Sequence, residues 1–244
     1  MVLLPKSILI FASGRGTDFQ AILDHCRLGI LKDVEISGLV CNHPNAPVAQ
    51  RANGAGIRVY EIEGIVGKQF ASKEERDRAR TLFEQNCLDL IRKQSIDYII
   101  LAGFDQIVSK LLVEAYKMRI VNIHPAFDVL RFGGRNMLGR KIHEKVIQSG
   151  VKYSGCTVHF VTADIDLGPT ILKKKVSIVE GETPDSLEQK ILRVEHLAYP
   201  QAIQLLVDNR VLVDPSGQRC YIDLYSEQWD IEWEKRQMKY HGIE

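Results

Sequence analysis

Asn122 and His124 lie two apart in the apolar run Val121-Asn122-Ile123-His124. Side chains alternate between the faces of a strand, so both would point the same way. A donating amide and a proton-moving imidazole would then share one pocket wall. An Asn amide can hold a developing oxyanion. A His can carry a proton on and off a reacting amine or a tetrahedral intermediate. Pro125 cannot serve a central ladder, so it should end the strand and open a loop. Asp166 adds a carboxylate, which beside a His raises its pKa and holds its tautomer. No Ser or Cys is placed as an obvious nucleophile, so direct transfer to a bound amine fits better than a covalent acyl-enzyme. A polar strand end carrying a surface His is the plainer reading of Asn122 and His124. The surrounding elements decide between them.

Ser7 to Ala12 is a continuous apolar run and reads as a strand buried on both faces. Ser13-Gly14-Arg15-Gly16-Thr17-Asp18 follows, and Phe19 opens a helix pattern. Thr17 with Gln20 has the form of a capping box. A glycine turn between strand and helix can offer backbone N–H groups to an anion, usually a phosphate. It also serves as a plain tight turn, and two glycines make no full nucleotide fingerprint. Val34 to Val40 and Ile57 to Tyr60 read as further strands. The turn cluster Asn42 to Pro47 and a short helix from Val48 to Ala55 separate them. A long charged helix starts at Ser72, with Leu82, Phe83, Leu88 and Ile91 as its apolar stripe. Asp97 to Ala102 and Ile120 to His124 are the next strands, with a helix from Leu111 to Tyr116 between them. This βα alternation requires a doubly wound, mostly parallel sheet of the α/β class, whose ligands bind beyond the carboxyl ends of the strands. Gly14–Asp18, Gly103–Gln106 and Asn122–Pro125 should therefore converge on one edge, which favours a site.

A glycine loop from Phe132 to Gly139 precedes a helix at Lys141 to Ser149. Tyr153 to Val161 and Thr170 to Val179 read as a hairpin around the acidic loop Thr162 to Pro169. A long helix begins at Pro184, carries Glu195 and His196, and runs to about Asn209, with a kink expected before Pro200. The expected division is a domain over 1–209 and a C-terminal extension over 210–244, packed on the domain or on a partner. Trp229 and Trp233 lie four apart and would pack one helix face.

The chain has 244 residues, a formal net charge of +1 and 26% charged residues. That balance gives no general attraction to nucleic acid or membrane, though a local basic pocket for a small anion is compatible with it. No apolar run approaches the roughly 20 residues of a membrane span. The first strand starts near Ser7, leaving no room for a signal peptide. The five cysteines are scattered, with no Cys-x-x-Cys pair, which suits a reduced cytoplasmic setting without structural zinc or another metal.

Ala12 to Ile22, Leu101-Ala102-Gly103-Phe104, Val121 to Ala126, Val158 to Thr162, Asp166-Leu167-Gly168-Pro169 and Glu195-His196 together resemble the folate-dependent formyltransferases. They follow that family's order and approximate spacing over about residues 7–209. Asn-Ile-His-Pro with a downstream Asp-x-Gly-Pro marks the wider group. The glycine turn and Glu195-His196 resemble its phosphoribosylglycinamide formyltransferase branch. The resemblance implies a Rossmann-like fold with a C-terminal hairpin and long helix. It implies transfer of a formyl group from 10-formyltetrahydrofolate to glycinamide ribonucleotide in purine synthesis, by a monomer or a homodimer. Gly16, Thr17 and Asp18 would hold the phosphate, and Glu195 would accept from ribose hydroxyls. Asp105, Gln106, Ile107 and Val108, with Thr162, Ala163, Asp164, Ile165 and Asn122, would line the 10-formyltetrahydrofolate pocket. Lys73 would meet a ligand there, with Arg76 or Arg80 as substitutes. Asn122 and His124 would polarise the formyl group with Asp166 supporting His124, and His159 matches a near-site histidine.

Asp18 stands where the family usually has Asn, and an anion beside a phosphate is unfavourable unless it turns away or caps the helix. Asp105 and Gln106 replace a Met and a basic residue. Ala126 to Arg131 replaces a Leu-Leu-Pro run. The alternatives are a formyltetrahydrofolate hydrolase, a sugar-nucleotide formyltransferase or a methionyl-tRNA formyltransferase of the same group, a non-catalytic ligand-binding relative, and an unrelated nucleotide-binding oxidoreductase. The hydrolase would add an N-terminal domain and the tRNA enzyme a C-terminal RNA-binding domain. The oxidoreductase would need a third glycine in the turn.

Overall fold

The first strand sets the architecture. In the computed structural model, which describes residues 4–43, 45–135, 137–223 and 227–241, β1 (Lys6–Ala12) is the third strand of a seven-stranded sheet. Its residues alternate between two cores. Ile8, Ile10 and Ala12 join one apolar cluster and Leu9 and Phe11 the other. A strand covered on both faces must be apolar at every position, as a parallel sheet between helix layers demands. Pro44 of the turn cluster and Asn136 of the glycine loop lie outside the described residues.

The remaining strands are β2 (Val34–Cys41), β3 (Val59–Glu61), β4 (Tyr98–Leu101), β5 (Ile120–His124), β6 (Tyr153–Phe160) and β7 (Thr170–Ser177), in the order β3-β2-β1-β4-β5-β6-β7. β1 to β5 pair in parallel. β6 runs antiparallel to β5 and β7 antiparallel to β6. The order reverses between β1 and β4, so their carboxyl ends open the crevice in which such sheets bind ligands. The pairing sets Leu101 beside Asn122, and Asn122 beside His159.

The helices are α1 (Thr17–Arg27), α2 (Pro47–Gly54), α3 (Lys73–Gln94), α4 (Lys110–Ala115), α5 (Val129–Phe132), α6 (Arg140–Gln148), α7 (Pro184–Val207) and α8 (Glu227–Tyr240). Ser72 caps α3 by accepting from the Glu75 N–H, and Thr183 caps α7. α7 continues through Pro200 to Val207. Two expectations need correction. Thr17 forms no capping box: Gly16 is the N-cap of α1, no side chain caps it, and Gln20 Nε2 instead donates to Asp24 Oδ1 at 2.8 Å. Gly16 has φ 72°, and a Cβ there would meet Val48 Cγ2 at 2.5 Å, so only glycine permits this turn. On α3, Phe83, Cys87, Leu88 and Ile91 are buried while Leu82 is exposed. The inward stripe starts one residue later than expected and contains a cysteine. No helix among the described residues is long and apolar enough to cross a membrane.

After α7 a small antiparallel pair, β8 (Val211–Val213) and β9 (Cys220–Ile222), leads to α8. Trp233 of α8 is buried and stacks on Trp229 at 5.7 Å between ring centroids. Arg236 Nη1 donates to the Ile30 carbonyl at 2.7 Å.

Candidate active site

A cavity of about 480 Å³ lies at the carboxyl ends of β1, β4 and β5. Gly16, Thr17, Asp18, Asp105, Gln106, Ile107, Val108, Asn122, His124, His159, Thr162, Ile165, Asp166 and Glu195 all line it. Three expected residues do not. Ala163 and Asp164 are not among its walls. Lys73, the first residue of α3, lines a neighbouring groove of about 610 Å³ with Lys68, Arg76 and Arg80. Asp105, Gln106 and Ile107 are shared by the two spaces.

β5 presents Asn122 and His124 to the cavity, and the neighbouring chain determines what each can do. The buried His159 ring donates from Nδ1 to the Phe160 carbonyl at 2.9 Å, which leaves Nε2 as an acceptor. Asn122 Nδ2 donates to that Nε2 at 3.3 Å. Burial lowers the His159 pKa, so the ring stays neutral and keeps this acceptor. One amide hydrogen of Asn122 is thereby committed, and the second remains for a ligand oxygen. His124 Nε2 lies 2.9 Å from the Phe132 carbonyl, while Nδ1 faces Asp166 Oδ2 at 3.7 Å. The Phe132 carbonyl makes Nε2 a donor, and Nδ1 is turned towards the Asp166 carboxylate beyond hydrogen-bond distance, on the cavity side of the ring. Asp166 is held in a left-handed conformation at φ 59° and accepts from the Gly134 N–H at 2.9 Å. A Cβ at Gly133 would meet the Val129 carbonyl at 2.5 Å and Asp166 Cβ at 3.1 Å, so the glycine lets this loop close over the carboxylate.

Asp105, a wall of both spaces, is also tied into the neighbouring loops. Its carboxylate accepts from Ser13 Oγ at 2.9 Å, Asn42 Nδ2 at 2.8 Å and His43 Nε2 at 2.6 Å. Burial pushes its pKa up, but those donors outweigh burial and leave it below the usual carboxylate value. The side chain ties the ends of β1 and β2 to the loop after β4. Gln106 is buried and accepts from the Ile65 N–H at 2.8 Å.

At the opposite wall, Asp18 and Glu195 are both buried. Burial pushes the Asp18 pKa up to about 6, against the pull of Arg15. Burial raises Glu195 well above its usual value, and the Asp18 charge adds to this. Sequence reasoning missed two further residues. His143 on α6 is buried against the cavity, kept neutral by burial, and its Nδ1 has no partner among the described residues. Tyr199 on α7 donates from its hydroxyl to the Leu101 and Val121 carbonyls at 2.8 and 3.0 Å. Its place beside Glu195 on one helix was the available signal.

An amide donor, a histidine beside a carboxylate and a glycine-turn helix terminus, gathered at the switch point of a parallel sheet, compose a site suited to a group-transfer enzyme. Comparison with known proteins sharpens that class: the family model described as formyl transferase matches residues 6–203, and the chain belongs to that family. Phosphoribosylglycinamide formyltransferase of Bacillus subtilis is 33% identical, over 83% of this chain and 95% of its own. The chloroplastic phosphoribosylglycinamide formyltransferase of Arabidopsis thaliana is 31% identical, over 84% of this chain and 67% of its own. Glycinamide ribonucleotide transformylase 1 from Symbiobacterium toebii superposes with a TM-score of 0.75 at 31% identity, covering 89% of this chain and 94% of that one.

Proposed function

We propose that this enzyme transfers the formyl group of 10-formyltetrahydrofolate to the amine of glycinamide ribonucleotide, in purine synthesis. The carrying observation is the Asn122–His124 wall, with the amide half-committed to His159 and the imidazole set between Phe132 and Asp166. The acceptor amine attacks the formyl carbon. The oxygen that gains charge is held by the free amide hydrogen of Asn122 and by protonated His124. His124 and Asp166 carry the proton lost by the amine to the departing folate nitrogen, so a carbon–nitrogen bond forms as another breaks. Gly16 and Thr17 supply uncapped backbone N–H groups for the acceptor phosphate. Glu195 accepts from its ribose hydroxyls. The walls from Asp105 to Val108, with Thr162 and Ile165, take the folate. Lys73 sits in the adjoining groove with three further cations, Lys68, Arg76 and Arg80, where the anionic end of the folate would reach. Five cysteines without a disulfide support a reducing cytoplasmic setting.

The test is transfer with both ligands present. Asn122→Ala is expected to lower kcat by about 10²–10³-fold and His124→Ala by about 10²–10⁴-fold. Near wild-type rates in either variant would refute the assignment. Release of deformylated folate without the amine would point to a hydrolase instead.

A further inference from the structure

Asp18 sits in the first turn of α1, where the acceptor phosphate would bind, and the structure gives its carboxyl an unusual surrounding. Oδ1 is buried and has no hydrogen-bond partner among the described residues. The nearest cation-forming group on α7, His196 Nε2, lies 4.0 Å away, is also unpartnered, and is kept neutral by burial. From the same helix Glu195 and Tyr199 face Asp18, and Cys156 faces it from β6. None of these offers a positive charge. Arg15 on the turn is paired with Glu188. Arg15 and Arg135 are the Lys or Arg residues among the described cavity walls. Arg51 on α2 also reaches the turn, with its Nε donating to the Arg15 carbonyl at 2.8 Å. An anion at this end of α1 meets the helix terminus directly, and the Asp18 carboxylate already occupies that field. Two anions on one helix N-terminus exclude each other unless one takes a proton.

We propose that Asp18 is the specificity-determining residue of the acceptor subsite, and that it admits a phosphate monoester only together with one proton taken from solvent. The proposal deepens the formyl-transfer reading and rests on it for the identity of the acceptor. Burial already brings Asp18 up to about 6, so the uptake is readable between pH 6 and 8. The proton lies between carboxyl and phosphate, no covalent bond changes, and it returns to solvent when the ligand leaves.

The experiment compares the wild-type enzyme with Asp18→Asn between pH 6 and 8. The ratio of wild-type to variant KM for glycinamide ribonucleotide is expected to rise by up to tenfold per pH unit above about 6. Ionisation of the phosphate and of the amine is common to both proteins and cancels in the ratio. A ratio flat across that range overturns the proposal. A second reading needs no turnover: calorimetric titration with ribose 5-phosphate at pH 8, in two buffers of different ionisation enthalpy. The wild type should take up close to one proton more per ligand bound than the variant, and equal uptake overturns the proposal. Asp18→Ser replaces the variant if Asp18→Asn does not fold. Absence of transfer in both proteins at every pH would count against the formyl-transfer reading, while the ribose 5-phosphate titration still decides the role of Asp18.

Discussion

Tyr199 reaches from α7 into the heart of the sheet and donates to the Leu101 and Val121 carbonyls, one on each of two neighbouring strands. Val121 precedes Asn122, so this hydroxyl pins the strand end that presents the amide. Tyr199→Phe keeps the ring and its packing but removes the donor. It leaves buried carbonyl capacity unpaired, which costs about 1–3 kcal/mol. In a chain of this size that corresponds to a melting temperature lower by roughly 2–4 °C per kcal/mol. Thermal unfolding followed by circular dichroism measures it, and an unchanged midpoint would show that the two carbonyls are satisfied without Tyr199. Asp105 shows the same economy at the other end of the cavity. A cavity wall expected from sequence also holds Ser13, Asn42 and His43 together.

Among the elements, α8 packs on α1 around one buried histidine. His25 is fully buried, lies 2.7 Å by Nδ1 from the Ala21 carbonyl, and packs against Tyr240 at 4.2 Å and Trp233 at 6.5 Å between ring centroids. Its Nε2 lies 3.3 Å from Gln237 Oε1. Burial is the largest influence and lowers its pKa, outweighing the Ala21 carbonyl, Gln237 and Asp24. A histidine held below its unfolded pKa binds fewer protons when folded. The docking it supports is therefore intact above about pH 6.5 and weakens as the pH falls below that value. Both tryptophans of the chain, Trp229 and Trp233, lie on α8. Their fluorescence should shift to the red between pH 7 and pH 5, before the sheet unfolds. His25→Phe should abolish that early shift, and its persistence would place the acid-sensitive group elsewhere.

For the whole molecule, we propose that residues 210–244 are an extension packed on a formyltransferase domain over 1–209. The family match ends at residue 203, and among the described residues the cavity walls run no further along the chain than Glu195. α8 covers α1 through the buried Trp233 and the Arg236 bond to Ile30. A chain ending at Asp223 is therefore expected to melt at lower temperature, because covering apolar surface contributes about 25 cal/mol per Å². It should still transfer formyl groups below its melting point. Loss of transfer in a truncated chain that remains folded would mean that the extension belongs to the site.

The order of strands and helices was legible because βα periodicity is local: an apolar run, a turn, an amphipathic stretch. From it followed the parallel sheet, the convergence of carboxyl ends, and the placing of Asn122, His124, Asp166 and the Gly16 turn on one cavity. A capping box at Thr17 was misread because a left-handed Gly16 takes the cap position, and backbone handedness leaves no mark in residue type. What only the tertiary structure decided are the pairings between distant residues. Asp105 meets Ser13 across 92 positions and Tyr199 meets Leu101 across 98. Such contacts depend on strand register and on how α7 lies across the sheet. The burial that lifts the Asp18 and Glu195 carboxyls has the same origin. Residue types can nominate an acid for a site, but its charge depends on which water-excluding surfaces the fold brings around it.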